Sequence, residues 1–168
     1  MGRMDLSLAT SYDASPEEVF AMITDVTFQE QVFERLQAPS YDVVVGDDGD
    51  DLAVQLHWQT QVSDVPMVAR RFVGNTLELE QSKVWHRPDV DGARLAEVGG
   101  ALTGVPVKLT GTTRIAPEGR WTTQAFDLQV TASVPVVGTR LELLVAEAVR
   151  FRLEKKFEVA WSWLSGSL

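Results

Sequence analysis

The sequence VPVVGTRLELLVAEAVRFRLEKKFEVAWSWL, residues 134–164, is typical of one long helix. No proline follows Pro135 and no glycine follows Gly138, so nothing breaks the helix after its entrance. About 25 residues would span roughly 37 Å, enough to cross a small domain. Apolar residues recur at helical spacing and predict one buried face: Leu141, Leu144, Val145, Ala148, Phe151 and Val159. Charged residues fall largely on the other side: Glu142, Glu147, Arg150, Glu154 and Glu158. Further apolar residues widen the stripe, which predicts cover on more than one side: Leu143, Ala146, Val149 and Leu153.

The rest of the sequence is mostly strand-like. Residues 5–12 alternate as a strand, and Ser15, Pro16 and Glu18 then form a capping-box pattern that predicts a short helix. A second short helix is predicted at about residues 28–36, and one or two helical turns covering an opening at 66–72. Six further strands are predicted by period-two patterns and turn residues, at 40–45, 52–62, 76–86, 93–102, 107–115 and 121–134. The predicted order is therefore β-α-α-β6-α.

Composition limits the functions that this chain can have. Its 168 residues predict a single domain, residues 1–168, and its net charge of −9 disfavours nucleic acid as a partner. It has no cysteine, and neither histidine, His57 nor His86, has metal-site spacing, so we expect no metal and no cofactor. The N-terminus lacks the apolar core of a signal peptide, and charges interrupt the long helix. We therefore expect a cytoplasmic protein without stable membrane insertion. The Glu-rich residues 76–80 favour a monomer or a weak dimer.

Two local motifs and the element order resemble a known superfamily. ASPEEVF, residues 14–20, looks like the opening of the first helix in START-like proteins, and SVPVVGTRLE, residues 133–142, is similar to the last-helix entrance. The second motif resembles members of the carbon-monoxide-dehydrogenase-subunit-G-like and polyketide-cyclase-like branches. This resemblance implies an α+β helix-grip fold, in which a curved antiparallel sheet of about seven strands wraps around the long C-terminal helix. It also implies a cavity between them for lipids, polyketides or hormones, and an uncharacterised branch.

Under this resemblance, the inward-facing side chains of the strands and the long helix would contact a ligand. These residues are Val54, Leu56, Trp58, Leu79, Gln81, Trp85, Leu109, Thr113, Phe126, Leu128, Val130, Leu141, Val145, Ala148 and Arg152. The alternative is that they pack into a solid core. Arg152 is the candidate for contacting a carboxylate or other anionic head, although it could instead pair with a surface carboxylate.

The sequence leaves three functions open. The first is binding or transport of a small hydrophobic ligand, since no catalytic constellation is visible. The second is an enzyme resembling polyketide cyclases or dehydratases, whose cavity folds a reactive chain by proximity. The third is a protein-interaction or assembly factor, which an exposed apolar patch would favour. Fold resemblance alone does not choose among them.

Overall fold

The protein, described here by a computed structural model at residues 2–61, 67–70 and 76–167, is built on a curved antiparallel sheet. Within these residues the sheet has seven strands in the order β1-β7-β6-β5-β4-β3-β2, so that β1 and β2 form its edges. The strands are β1 Met4–Tyr12, β2 Ser40–Asp48, β3 Asp51–Gln61, β4 Thr76–Trp85, β5 Arg94–Leu102, β6 Val105–Glu118 and β7 Trp121–Ala132. The helix-grip fold predicted from the sequence is confirmed.

Two short helices follow β1, and each begins at a side-chain cap. In α1 (Pro16–Ile23), the Ser15 hydroxyl accepts from the Glu18 N–H at 3.2 Å and the Glu18 carboxylate accepts from the Ser15 N–H at 3.2 Å. The predicted capping box is therefore present. In α2 (Val26–Arg35), the Asp25 carboxylate accepts from the N–H of Phe28 at 3.1 Å. Because Asp25 caps the helix, α2 begins two residues before the predicted start.

A third short helix lies between β3 and β4. It is α3 (Met67–Arg70), within the segment where the sequence predicts one or two helical turns. The remaining residues of the predicted turn, 66 and 71–72, lie outside the described part of the chain.

The last helix, α4 (Gly138–Leu164), lies closest to β1, β7 and α2. Its start is held against the end of β7, where the buried Glu142 carboxylate accepts from the Ala132 N–H at 2.9 Å. Glycine is favoured at position 138 because a Cβ atom there would lie only 3.0 Å from the Ala132 carbonyl oxygen. Near the other end, Trp161 Nε1 donates to the Ser11 carbonyl of β1 at 3.3 Å. No helix in the described ranges is long and apolar enough to cross a membrane.

The buried face of α4 is rotated by about a quarter of a turn from the predicted one, given ~100° per residue. Ala148 is exposed and Phe151 is 55% exposed, although both are predicted to face the sheet. The residues buried instead are Gly138, Leu141, Glu142, Ala146, Leu153, Lys156, Phe157, Val159 and Ala160. The prediction failed because two of these buried positions are charged, and hydrophobic periodicity counts such residues as exposed.

Buried apolar side chains of the described residues form two clusters. The first, which we call the β1/β7 cluster, joins β1 and β4–β7 to α4 and includes Phe126, Leu128 and Leu141. The second, the α1/α2 cluster, joins the two short helices to residues of β1, β3–β6 and the end of α4, and includes Phe33 and Trp85. The polar site described next contacts both clusters.

Candidate functional site

Three cationic side chains approach one another between the sheet and α4. Lys83 is on β4, in register with Val54 and Val98 of the neighbouring strands, and Arg152 and Lys156 are one helical turn apart on α4. Lys83 is 4% exposed and Lys156 is 1% exposed. Arg152 is half-buried as a whole, but its Nε and Nη2 atoms are buried. We call these three residues the buried cation cluster.

The guanidinium of Arg152 is held at the edge of the α1/α2 cluster. Its centre lies 4.6 Å from the ring of Trp58 and 5.5 Å from that of Phe33, distances at which a cation is attracted to an aromatic face. Its Nη1 donates to the Gln81 side-chain oxygen at 3.3 Å. The other two nitrogens, Nε and Nη2, are buried and have no hydrogen-bond partner in the described structure.

Neither lysine is paired with a carboxylate among the described residues. Lys83 Nζ lies 5.5 Å from the centre of the Phe126 ring, which belongs to the β1/β7 cluster. Lys156 Nζ is buried and has no acceptor among the described residues. Within those same residues, no carboxylate forms an ion pair with Lys83, Arg152 or Lys156. The cluster is therefore positively charged and uncompensated when its members are protonated.

Burial and mutual repulsion shift the protonation of these groups. Burial lowers the pKa of Lys83 to about 8, with the Arg152 charge acting in the same direction. Burial, followed by the charges of Lys83 and Arg152, lowers the pKa of Lys156 well below its usual 10.5. Burial alone lowers the pKa of Arg152 to about 10, so its guanidinium stays charged at neutral pH.

The structure divides the residues predicted to contact a ligand between the two apolar clusters. Those in or against the β1/β7 cluster are Leu79, Leu109, Phe126, Leu128, Val130, Leu141 and Val145. Those in or against the α1/α2 cluster are Val54, Leu56, Trp58 and Trp85. Gln81 and Arg152 meet between them, and Thr113 is buried, its hydroxyl bonded to Gln124 at 3.2 Å. Ala148 is exposed and joins neither cluster.

Lys156 is the member of the site that sequence reasoning missed. Lys83 shares the phase of Gln81 and Trp85 in the sequence, so alternation also assigns it to the inner face of the sheet. The corresponding signal for Lys156 is its phase with Gly138, Glu142 and Ala160. That signal identifies a buried lysine only when Glu142 is also known to face inward.

Two surface depressions in the described part of the chain lie apart from the buried cation cluster. One depression of about 390 Å³ is lined by Ser11, Glu118 and Trp121, at one end of β1 and β7. Another of about 390 Å³ surrounds the start of α4, where Glu142 already bonds Ala132. Neither is lined by a residue of the buried cation cluster. No group of three His, Asp or Glu side chains suited to a metal ion is found in these ranges.

Comparison with solved structures defines the class of fold. The Zhui aromatase/cyclase from Streptomyces sp. R1128 aligns with a TM-score of 0.64 at 10% identity, over 98% of this chain and 94% of its own. A STAR-related lipid transfer protein from Xanthomonas axonopodis aligns at 0.60 and 12% identity, over 96% and 85%. A START superfamily protein from Mycobacterium smegmatis aligns at 0.58 and 17% identity, over 97% and 99%. The chain has the START-like helix-grip fold.

Sequence comparison then gives the family. The model of DUF2505, described as a protein of unknown function, matches residues 7–164. The chain therefore belongs to the DUF2505 family. We found no curated protein whose sequence matches it.

Proposed function

We propose that this protein binds a small hydrophobic ligand between the concave face of its sheet and α4. The observation that carries the proposal is the set of buried donors without acceptors: Nε and Nη2 of Arg152 and Nζ of Lys156. They lie where the β1/β7 cluster and the α1/α2 cluster meet, so a ligand there would contact apolar side chains on both sides.

The cost of these donors favours a ligand over a permanently solid core. A buried donor left without a partner costs about 1–3 kcal/mol, and more when it is charged. Native interiors therefore rarely keep one without a water, an ion or a ligand as its partner. A ligand that brings an acceptor to this point would remove the cost, whereas rearranged apolar side chains would not.

The structural neighbours support the same proposal at the level of the fold. One is a lipid transfer protein and one acts as an aromatase and cyclase, according to their names. Helix-grip proteins of both kinds share a concave sheet closed by a long helix, which is the arrangement found here. The particular ligand, its transport and the location of the protein in the cytoplasm belong to the proposal.

Native mass spectrometry of the protein purified from its own cells would test it. We expect a stoichiometric adduct that disappears on denaturation, and extraction of the denatured sample would yield one small molecule. A protein denatured and refolded without extract provides the matched empty reference. A mass equal to that of the bare chain, with no thermal shift from lipids or polyketides, would contradict the proposal.

A cyclase-like enzyme is the second candidate, and one observation favours it. Because burial lowers the pKa of Lys83 to about 8, a fraction of its amine is neutral near neutral pH and able to take a proton from an acidic C–H group. The same extraction from a Lys83→Met variant separates the candidates. A binder yields the same molecule from both samples, at equal or lower occupancy in Lys83→Met, whereas a cyclase variant yields a precursor heavier by the water that cyclisation eliminates.

A further inference from the structure

We propose, resting on the function just proposed, that the ligand is an apolar molecule with one carboxylate head, and that Arg152, Lys83 and Lys156 hold that head. The chemical class follows from which donors are free, from the sign of the charge around them, and from what surrounds the cluster.

The free donors of Arg152 have the geometry that a carboxylate requires. Nη1, on the side of the guanidinium next to Cδ, is occupied by Gln81 at 3.3 Å. The unpartnered nitrogens are Nε and Nη2, whose N–H bonds lie parallel along one edge of the guanidinium. That edge binds both oxygens of a carboxylate at once. A ketone or hydroxyl oxygen would fill one of the two positions and leave the other donor unpaired.

The charge of the site selects an anion over a neutral acceptor. The chain has 24 Asp and Glu residues against 15 Lys and Arg. Nevertheless, none of the acidic side chains in the described ranges forms an ion pair with the buried cation cluster. An unpaired buried charge is costly, and the group then neutralises or acquires a counter-ion. Lysines can neutralise by losing a proton, but the Arg152 guanidinium cannot do so near neutral pH.

The aromatic rings around the cluster hold the cations without using their donors. Trp58 and Phe33 face the Arg152 guanidinium, and Phe126 faces Lys83 Nζ. A ring face attracts a cation but leaves its in-plane N–H bonds free for a ligand. The head would therefore lie between the two apolar clusters, with the body of the ligand against either one.

Matched pairs of acids and alcohols test this assignment. Binding of hexadecanoate and hexadecanol, and of 1-naphthoate and 1-naphthalenemethanol, would be measured by displacement of a fluorescent apolar probe. We expect at least one acid to bind about tenfold or more tightly than its alcohol. In Arg152→Met and Lys156→Met variants this preference should disappear, while affinity for the alcohol stays the same.

Lys155→Met is the matched control. Lys155 precedes Lys156 on α4 but is half-buried and paired with Glu158 at 3.4 Å, so its removal should leave the preference for acid intact. Equal affinity for acid and alcohol in both pairs, or binding of neither acid, would overturn the carboxylate assignment. A preference for acid that survives in both Arg152→Met and Lys156→Met would also overturn it. Co-purification of a neutral molecule would overturn the head group alone, whereas the bare mass described above would overturn the interior site itself.

Discussion

Two charged side chains are buried on the same side of α4, four turns apart, and they differ in one respect. Glu142 is 2% exposed, and its carboxylate accepts from the Ala132 N–H at 2.9 Å. Lys156 is 1% exposed and its Nζ has no acceptor among the described residues. A charged residue is therefore buried towards both ends of the helix, but only Glu142 has a hydrogen-bond partner among the described residues.

This difference separates a structural charge from a candidate binding group. Glu142 links the start of α4 to the end of β7, beside Gly138, and its hydrogen bond stabilises the folded chain. Lys156 Nζ has no such partner among the described residues. A residue with a structural role stabilises the folded chain without ligand, whereas a ligand-binding residue does not.

The largest expected effect is the loss of the Glu142 bond. Glu142→Ala leaves the buried Ala132 N–H without an acceptor, so we expect the free energy of unfolding to fall by about 2–3 kcal/mol. Urea denaturation would measure it. Glu142→Gln, whose amide oxygen can still accept, should lose clearly less. Equal losses in the two variants would show that the hydrogen bond is not what holds α4 to β7.

An opposite and smaller effect is expected at Lys156. Lys156→Met removes a buried amine with no acceptor and keeps its volume, so the ligand-free protein should gain about 1–2 kcal/mol of unfolding free energy at pH 7. The same urea titration applies, with Lys155→Met as control and a change within about 0.5 kcal/mol. A loss of stability in Lys156→Met would mean that this lysine, like Glu142, serves the fold.

The smallest effect is the pH dependence from Lys83. Its pKa is about 8 in the folded chain, below the usual 10.5, so between these values the unfolded chain binds more protons. Stability from this group therefore rises with pH in that window, and its full penalty is present below about pH 8. Between pH 8 and pH 9 we expect a gain of up to about 1 kcal/mol, since one proton accounts for at most about 1.4 kcal/mol per pH unit.

Urea denaturation at pH 8 and pH 9 would measure this gain in the ligand-free protein. In Lys83→Met the free energy of unfolding should rise less between the two pH values. The groups that face Lys83 are Lys156 and Arg152, and Lys156 shifts in the same direction. An equal change of unfolding free energy with pH in the two proteins would contradict a buried, uncompensated Lys83.

Most of the fold could be predicted because strands and caps are local. Alternation identified the seven strands within a few residues, and Ser15 with Glu18 identified the start of α1. The face of α4 could not be predicted in the same way. Its burial depends on what covers each position, and Glu142 and Lys156 are buried for reasons that lie on β7 and β4.

The candidate site was predictable only in part for the same reason. Arg152 was selected from the sequence as a contact for an anionic head, and the structure places it against Gln81 and Trp58. Its partnership with Lys83 and Lys156 requires two distant elements to meet, which no local pattern records. The carboxylate assignment itself stays a prediction until it is measured.

The division of the described interior into two apolar clusters also bears on how the molecule opens. A hydrophobic cluster is a unit that gains and loses order together, and a layer of charge between two such units weakens the coupling between them. In the empty protein, the α1/α2 cluster can then loosen while the β1/β7 cluster remains ordered. An apolar acid that contacts both clusters would join them into one cooperative unit. Ligand binding would then reduce local opening throughout the sheet.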